Sequence, residues 1–284
     1  FKGSWMSLWL KQLGAEVTGY SLSAPTRPSI FHDADVEQSL KGHIQGDIND
    51  LNLLTKSMQL FQPEIVIHMA AQSLVRDSYI DPVNTYKTNV IGTVNLFESI
   101  RKISSVKVIL NITTDKCYEN KEGPWEYCEN DHMGGHDPYS SSKACSELVS
   151  SAYRRSFFQE SGIALATARA GNVIGGGDWA VDRIVPDAMR AFMSSKSLLV
   201  RNPKAVRPWQ HVLEPLSVYL FLCQKLLNNP KDYANAWNFG PTDKDTQPVS
   251  FLADFMMYSW GNSAKWHEDD SSHPHEAFYL KLDC

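Results

Sequence analysis

The sequence predicts an α/β fold in which helices cover both faces of a parallel, doubly wound β-sheet. Apolar, β-branched runs at 64–71, 108–112 and 163–169 have the length of buried strands. Segments with a helical spacing of apolar residues separate these runs, and strands that alternate with helices form parallel sheets. The chain has 284 residues, of which 43% are hydrophobic, so it can build a large core.

The first segment predicts a helix followed by a strand. Apolar residues at helical spacing follow Gly3 and stop at Gly14, and residues 16–22 alternate as a strand does. A helix that opens directly after a glycine is typical of a phosphate-binding loop, where backbone amides at the helix N-terminus meet a pyrophosphate. Gly3 is therefore a candidate cofactor residue, although a plain helix-start glycine is the alternative. We expect that a first strand precedes this sequence and that more chain follows Cys284.

The alternation of strands and helices continues along the chain. The elements predicted next are a strand at 43–48, a helix at 52–61, a strand at 64–71 and a helix at 86–103. The strand at 64–71 ends in the small residues Ala70 and Ala71. Small side chains at the carboxyl end of a parallel strand let a flat cofactor lie against the backbone.

The segment 108–143 carries the strongest chemical pattern. A buried strand runs into the polar residues 113–116, and Asp137 then precedes a proline and predicts a helix start. Tyr139 and Lys143 share one face of that helix, with β-carbons roughly 5–6 Å apart. An ammonium at that distance favours the phenolate, so we expect the Tyr139 pKa to be lowered and the phenol to accept a hydroxyl proton. Chance gives about 0.7 Tyr–Lys pairs with this spacing in a chain of this composition, so the pair alone is weak evidence. It indicates a catalytic site only together with the polar residues 113–116 at the end of the preceding strand.

The second half of the chain predicts a smaller, substrate-binding part. A strand at 163–169 is followed by a glycine-rich loop at 170–179, which we interpret as a substrate-side loop because no dinucleotide-loop context follows it. The later elements are helices at 184–193, 215–227 and 249–260 and strands at 198–201 and 237–239. We assign residues 1–170 with 209–230 to a dinucleotide-binding domain, and residues 171–208 and 231–284 to a substrate-binding domain.

Composition excludes several classes of protein. The net charge of −5 gives no surface for nucleic acid or an anionic membrane, and no apolar run approaches the roughly 20 residues of a membrane span. Five scattered cysteines without a C-x-x-C pattern favour reduced thiols in a cytoplasmic protein. We predict no metal, because His273 and His275 have no third ligand at a recognisable spacing.

Six motifs resemble, in order and spacing, those of the extended short-chain dehydrogenase/reductases. They are Asp47-Ile48, His68-Met69-Ala70-Ala71-Gln72, Asn89-Val90-Ile91-Gly92-Thr93, Thr114-Asp115, Tyr139-x-x-x-Lys143 and Arg169-x-x-Asn172-Val173. Within that family the chain is similar to the sugar-nucleotide 4,6-dehydratases, and within these to the branch that acts on CDP-glucose. The segments that carry the finer likeness are 1–5, 111–118, 169–179, 207–215 and 273–276. The resemblance implies a Rossmann sheet with a smaller, mostly C-terminal substrate domain.

The resemblance also implies a hydro-lyase reaction on a tightly held NAD. CDP-D-glucose would become CDP-4-dehydro-6-deoxy-D-glucose by internal hydride transfer from C4 to NAD and on to C6, with loss of water across C5–C6. It implies a role in deoxysugar and lipopolysaccharide O-antigen biosynthesis, and a homodimer or homotetramer. The alternatives are another sugar-nucleotide 4,6-dehydratase, a 4-epimerase or keto-sugar reductase, and, from a different class, a non-catalytic NAD-binding regulator.

Five residues receive catalytic roles from the resemblance and their chemistry. Tyr139 takes the C4-hydroxyl proton, Lys143 lowers its pKa and holds the nicotinamide ribose, and Thr114 hydrogen-bonds the same hydroxyl unless it is an ordinary strand-end threonine. Asp115, kept protonated by desolvation, gives a proton to the leaving 6-hydroxyl. Lys116 stands where most 4,6-dehydratases carry a glutamate as the base for the C5 proton. A lysine can serve as that base only if burial or nearby cations lower its pKa, and otherwise it stabilises the enolate.

The resemblance places further residues around the cofactor. Asp47 and Ile48 would meet the adenine, and Asn89 would support the site from behind. Ser23 stands where the ribose-binding acid is usual and Arg27 is near, so NADP is the alternative cofactor. The full set of predicted cofactor residues is Gly3, Asp47, Ile48, Ala70, Ala71, Gln72, Asn89, Thr113, Tyr139 and Lys143.

Four residues resemble substrate ligands. Asn172 and Arg207 match positions that hold the diphosphate, for which a guanidinium is suited because it can make two parallel hydrogen bonds. Asn238 and His275 match positions that line the nucleotide pocket.

Overall fold

The computed structural model describes residues 1–123, 125–261 and 264–284. The strands are β1 Thr18–Ser21, β2 Gly42–Gln45, β3 Ile65–His68, β4 Val108–Ile112, β5 Ala164–Ala170, β6 Asn172–Ile174, β7 Leu198–Val200, β8 Val206–His211, β9 Ala236–Phe239, β10 Thr246–Pro248 and β11 Trp266–Glu268. The α-helices are α1 Lys2–Gln12, α2 Ile30–Asp33, α3 Val36–Ser39, α4 Leu51–Phe61, α5 Val75–Ile80, α6 Pro82–Tyr86, α7 Gly92–Ile100, α8 Pro138–Tyr153, α9 Ile184–Met193, α10 Leu213–Asn228, α11 Pro230–Tyr233 and α12 Val249–Trp260. Turns of π-helix span Lys87–Ile91 and Arg154–Phe158, and turns of 3₁₀-helix span Asp115–Cys117 and Asp243–Asp245.

The main sheet has four parallel strands in the order β3-β4-β5-β9. Every residue of β4 and β5 is buried, which is typical of a parallel sheet covered on both faces. Successive side chains of these strands enter opposite cores: Val108 and Leu110 pack with Leu216 of α10, and Ile109 packs with Phe97 of α7. The predicted doubly wound parallel sheet is therefore confirmed.

Smaller sheets flank this core. β1 pairs with β2 in parallel, β6-β8-β10 form a three-stranded sheet, and β7 pairs with β11. The predicted division into two domains stays a prediction. Strand β9 pairs with β5 in the main sheet, although it belongs to the range 231–284 that we assigned to the substrate side.

Two elements differ from the sequence-based prediction. The segment 170–179 is not loop throughout, because β6 within it pairs in parallel with β8. The predicted helix 86–103 is divided by the π-helical turn Lys87–Ile91, a feature that often occurs at functional sites. In this turn Asn89 is buried, and its side chain reaches out of the helix towards the site.

The described part of the chain contains no helix long and apolar enough to cross a membrane. Over the same residues, no three His, Cys, Asp or Glu side chains are grouped so that they could hold a metal ion.

Candidate active site

A cavity of about 1220 Å³ opens at the carboxyl ends of the main-sheet strands, the usual position of a ligand site in an open parallel sheet. Its wall includes the start of α1, the ends of β3, β4 and β5, the start of α8, and residues of the loop that follows β6. The predicted site residues that line it are Gly3, Ala70, Ala71, Thr113, Thr114, Asp115, Lys116, Tyr139, Lys143, Asn172 and Arg207.

Local sequence fixes the helix that carries the phenol and the amine. Asp137 caps α8, its Oδ1 accepting from the backbone N–H of Ser140 at 2.9 Å. Tyr139 and Lys143 follow on successive turns, and both are buried. The Lys143 ammonium donates to the carbonyl oxygen of Ile112 at 2.9 Å, which joins α8 to the end of β4.

The expected lowering of the Tyr139 pKa is wrong for this structure. Burial raises the pKa of Tyr139 to about 12, although a hydrogen bond with Thr114 and the positive charge of Arg183 act in the opposite direction. Burial also lowers the pKa of Lys143 to about 8. The spacing along the helix could not show that the ammonium is directed at the Ile112 carbonyl or that the phenol is desolvated.

Asp115 is an acid kept from solvent. Its Oδ1 accepts from the Thr114 hydroxyl at 3.0 Å, and its Oδ2 has no hydrogen-bond partner in the protein. A β-carbon on Gly171 would lie 2.5 Å from Pro208 Cγ and 3.1 Å from that oxygen, so a glycine is needed for this approach. Burial raises the Asp115 pKa, while Lys116 and the Thr114 hydrogen bond partly oppose it. The protonated carboxyl required of a proton donor is therefore favoured.

Lys116 meets the condition that we set for a base. Burial lowers its pKa, and the nearby Arg207 guanidinium lowers it further, while Asp115 acts in the opposite direction. A neutral amine, which can accept a proton, is thus more accessible here than on an ordinary lysine.

Arg207 lies in the cavity wall and is buried. Its Nη1 donates to the carbonyl oxygens of Val206 at 2.9 Å and Phe278 at 3.2 Å, and its Nη2 donates to that of Ala277. No carboxylate among the described residues forms a salt bridge with it. The charge is therefore available to an anion in the cavity, as the prediction for Arg207 requires.

Two predicted residues support the site without lining the cavity. Asn89 Oδ1 accepts from the Gln72 N–H at 2.9 Å, and its Nδ2 donates to the Gln72 carbonyl and to Ser142 Oγ, each at 2.9 Å. Asn89 thus joins the segment after β3 to helix α8, in agreement with a role behind the site. Gln72 Nε2 itself donates to Thr85 Oγ1 at 3.0 Å, so its side chain is used within the protein.

The two predicted adenine residues lie outside the cavity wall. Ile48 is in the core, where a β-carbon on Gly92 would lie 2.6 Å from its Cγ2. Asp47 Oδ1 accepts from the backbone and side-chain N–H groups of Asn49, both at 2.9 Å. Both side chains are held by their own neighbours, which the motif alone could not reveal.

The predicted nucleotide-pocket residues are also placed elsewhere. Asn238 is buried, its Oδ1 accepts from Tyr118 at 2.6 Å, and its Nδ2 donates to the Tyr127 carbonyl at 2.7 Å. The ring of His275 lies 4.1 Å from that of His136, and its Nε2 is 3.3 Å from Glu122 Oε1. The polar atoms of Asn238 are thus bonded inside the protein, and the exposed imidazole of His275 lies beside Glu122.

The cavity also contains charged residues that sequence reasoning missed. Arg183 forms an ion pair with Asp178 at 2.9 Å and donates to Ser73 at 3.2 Å. Lys2, at the start of α1, has no hydrogen bond or ion pair among the described residues, and its ammonium lies 5.9 Å from the centre of the Tyr219 ring. Burial, aided by nearby cations, lowers its pKa to about 8. Lys2 lies in the segment 1–5 that carries part of the family likeness, but only Gly3 of that segment received a role, and Arg183 lies in none of the quoted motifs.

Replacing Lys2 by Met is expected to stabilise the protein at pH 7. Lys2 has a pKa of about 8 in the folded state against an ordinary 10.5, so the folded state binds fewer protons between these values and its stability rises with pH across them. The variant should gain about 1–3 kcal/mol at pH 7 and lose that advantage by about pH 10.5. Denaturant unfolding at both pH values measures this. Lys11→Met, at an exposed lysine on the same helix, should change stability by less than about 0.5 kcal/mol, and equal effects of the two substitutions would refute the argument.

The fold and the site define a class. A parallel sheet with a tyrosine and a lysine one turn apart beside its carboxyl edge is the arrangement of a short-chain dehydrogenase/reductase. A family model described as GDP-mannose 4,6 dehydratase matches residues 1–276. The chain is 53% identical to the CDP-glucose 4,6-dehydratase of Salmonella typhimurium over 289 aligned positions, which cover 100% of this chain and 80% of that protein.

Two solved structures have the same fold. The dTDP-glucose 4,6-dehydratase of Bacillus anthracis in complex with NAD has a TM-score of 0.78 and 19% identity, with 100% of this chain and 84% of that chain covered. The UDP-glucose 4-epimerase of Thermus thermophilus in complex with NAD has a TM-score of 0.81 and 21% identity, with 100% and 87% covered. From the family match and the identity to the Salmonella protein, the chain belongs to the GDP-mannose 4,6 dehydratase family, which confirms the resemblance seen in the sequence.

Proposed function

We propose that this protein is an NAD-dependent CDP-glucose 4,6-dehydratase. The observation that carries the proposal is the buried carboxyl of Asp115, whose Oδ2 has no hydrogen-bond partner in the protein. It lies beside Lys116 in the cavity that also contains Tyr139. Elimination of water needs an acid for the leaving hydroxyl and a base for the C5 proton, and a 4-epimerase needs neither. The identity to the Salmonella CDP-glucose 4,6-dehydratase supports the same substrate.

The residues present fit NAD. The cavity of about 1220 Å³ exceeds the usual size of a small-ligand pocket, so it has room for a dinucleotide and a sugar nucleotide. Ala70 and Ala71 supply a flat wall at the end of β3, and the start of α1 at Gly3 supplies backbone N–H groups for a pyrophosphate. When bound, NAD would supply a hydride acceptor and donor. We assign the ribose contact to Lys143, whose ammonium lies in the cavity wall.

Tyr139 and Thr114 handle the C4 hydroxyl in this proposal. Both side chains line the cavity, and they lie close enough to each other that Thr114 influences the Tyr139 pKa. Because the phenol has a pKa of about 12, positive charge must favour the phenolate during proton transfer, and Arg183 supplies part of it. The Thr114 hydroxyl orients the same oxygen for that transfer.

Asp115 and Lys116 perform the elimination. The neutral amine of Lys116 takes the C5 proton, the C5–H electron pair forms the C5–C6 double bond, and the C6–O bond breaks as Asp115 protonates the leaving oxygen. The products are the 4-keto sugar nucleotide with a C5–C6 double bond, water, the Lys116 ammonium and the Asp115 carboxylate. The ammonium returns a proton to C5 when that double bond is later reduced. The net charge of the site is unchanged, and the new opposite charges lie on consecutive residues, which favours the step in a low-dielectric cavity.

The test is incubation of the full-length protein with CDP-glucose and NAD. We expect a 4-keto product that is lighter by one water, with no net accumulation of reduced nicotinamide. A CDP-sugar of unchanged mass would indicate a 4-epimerase, net cofactor consumption a reductase, and binding without product a regulator; each would overturn the proposal. UDP-glucose and dTDP-glucose in parallel reactions test the nucleotide.

Asp115→Asn is expected to abolish most of the dehydratase activity without lowering the stability of the fold. Because the Asp115 pKa is raised in the folded state, its stabilising contribution is largest below the ordinary pKa of 3.8 and is lost as the pH rises through the folded value. At pH 7 the neutral amide avoids the cost of a buried carboxylate. We expect an unchanged or higher Tm, by about 2 °C per kcal/mol, and a kcat lower by at least about 100-fold. Calorimetry and product assays check both, and a parallel loss of Tm and kcat would contradict the acid role.

The finer biological setting is part of the same proposal. We place the enzyme in the cytoplasm, in deoxysugar and O-antigen biosynthesis, as a homodimer or homotetramer. Support for an oligomer comes from exposed apolar side chains on α5, α6, the π-helical turn Lys87–Ile91 and α8, elements that contact one another, because exposed apolar residues that lie near each other are typical of interaction sites. These are Ile80, Val83, Ile91 and Leu148.

A further inference from the structure

Glu147 is a buried carboxylate behind the cavity wall, one helical turn after Lys143 on α8. Its Oε1 accepts from the hydroxyl of Thr113, and its Oε2 accepts from Thr167 Oγ1 at 2.7 Å and from Arg169 Nη2 at 2.9 Å. Both members of the Glu147–Arg169 pair are only 4% exposed. Thus three donors, one directly after β4 and two on β5, converge on a single helix residue.

These contacts connect helix α8, which carries Tyr139 and Lys143, to the chain next to the segment 114–116. Thr113 directly precedes the segment 114–116, whereas Thr167 and Arg169 lie on the neighbouring strand β5. One turn earlier on α8, Lys143 donates to the Ile112 carbonyl at 2.9 Å. Two successive turns of α8 therefore form hydrogen bonds with consecutive residues at the end of β4, immediately before the segment 114–116 that is proposed to perform the elimination.

A contribution to stability alone does not explain this pair. Taking two charges out of water costs several kcal/mol, and apolar replacements of a buried ion pair are often neutral or stabilising. A buried pair fixes geometry, because its hydrogen bonds are satisfied in one arrangement only. Arg169 extends that arrangement by donating to the Tyr118 hydroxyl at 2.7 Å.

We propose that Glu147 is a positioning residue for the dehydration, which fixes helix α8 and its Lys143 against the end of β4. This inference rests on the proposed function. Glu147 and Cys117 raise the pKa of Lys143 against the larger opposing effect of burial. Among the described residues, Lys143 lowers the pKa values of Lys2 and His68, and the titratable phenol of Tyr139 lies one turn before it on α8.

The test is Glu147→Gln, which keeps the shape and removes the charge. We expect kcat for CDP-glucose to fall about 10–100-fold with KM changed less than about threefold, because a misplaced catalytic group lowers the rate of the chemical step. The alkaline limb of the kcat profile should move to lower pH by about one unit, since Lys143 loses a neighbouring negative charge. The matched control is Glu98→Gln, which removes a carboxylate bonded to Arg101 and Tyr153 outside the cavity and should leave both readouts unchanged.

A second variant keeps the proposal falsifiable if Glu147→Gln does not fold. The double substitution Glu147→Leu with Arg169→Met replaces the pair by apolar side chains, and we expect it to fold and to show the same loss of kcat and the same shift in pH. Wild-type kcat in a folded variant, an unshifted limb, or failure of both variants to fold would each overturn the positioning role.

One readout is independent of turnover. In NMR of ¹⁵N-lysine-labelled protein, the Lys143 Nζ titration should move to lower pH in Glu147→Gln and not in Glu98→Gln. If the wild type does not convert CDP-glucose, the proposed function fails, but this titration still decides whether Glu147 holds the charge of Lys143.

Discussion

Replacing Tyr139 by Phe is expected to lower kcat for dehydration by about 10²–10⁴-fold, the usual contribution of a positioned acid or base. The ring is only 8% exposed, so the substitution keeps the buried surface and removes only the hydroxyl. KM for CDP-glucose should change little, because the assigned diphosphate ligands Asn172 and Arg207 are intact. Steady-state assays of the keto product at neutral pH measure the effect.

The matched control is Tyr153→Phe on the same helix. Its hydroxyl donates to Glu98 Oε1 at 2.8 Å, and the residue does not line the cavity. Removing it should cost about 1 kcal/mol of stability and leave kcat unchanged. A Tyr139→Phe enzyme with a kcat within fivefold of the wild type, or equal losses in the two variants, would show that Tyr139 is not the C4 base.

The main sheet could be predicted because local sequence carries its signal. The apolar run 108–112 is buried as a strand requires, and Asp137 caps α8 where the Asp-Pro pair indicated. Strand β6 could not be predicted, because its three residues are extended only through pairing with β8, more than thirty positions later. The glycines around it predict a turn, and long-range hydrogen bonds prevailed over that local preference.

The site residues also divide into those that local sequence could place and those whose placement depends on distant residues. Thr114, Asp115 and Tyr139 lie beside the end of a strand or the start of a helix, and the sequence predicts where these elements end and begin. All three residues line the cavity. The orientation of Asn238 depends instead on Tyr118 and Tyr127, which no local pattern reports. The direction of a pKa shift depends on burial as well as on the spacing of charges. Because the sequence shows the spacing and not the burial, the predicted shift of the Tyr139 pKa had the wrong sign.

Replacing Lys116 by Met is expected to stop elimination, with a kcat lower by about 10²–10⁴-fold. In the proposed mechanism its amine takes the C5 proton, exchanges it with solvent and returns a proton to C5. Product formed by the wild type in D₂O should therefore carry deuterium at C5, and NMR of the product mixture should show neither product nor C5 exchange in the variant.

Lys116→Arg separates the two roles open to this residue. A guanidinium keeps the positive charge but cannot be deprotonated in a protein, so it can stabilise an enolate and cannot act as a base. Because burial and Arg207 lower the Lys116 pKa, we expect the base role, with Lys116→Arg as inactive as Lys116→Met. Substantial activity in the arginine variant would contradict this and assign Lys116 to charge stabilisation. Lys116→Glu restores a group that can accept the proton, so it should recover part of the lost kcat, whereas a charge-stabilising role predicts that it is the least active of the three.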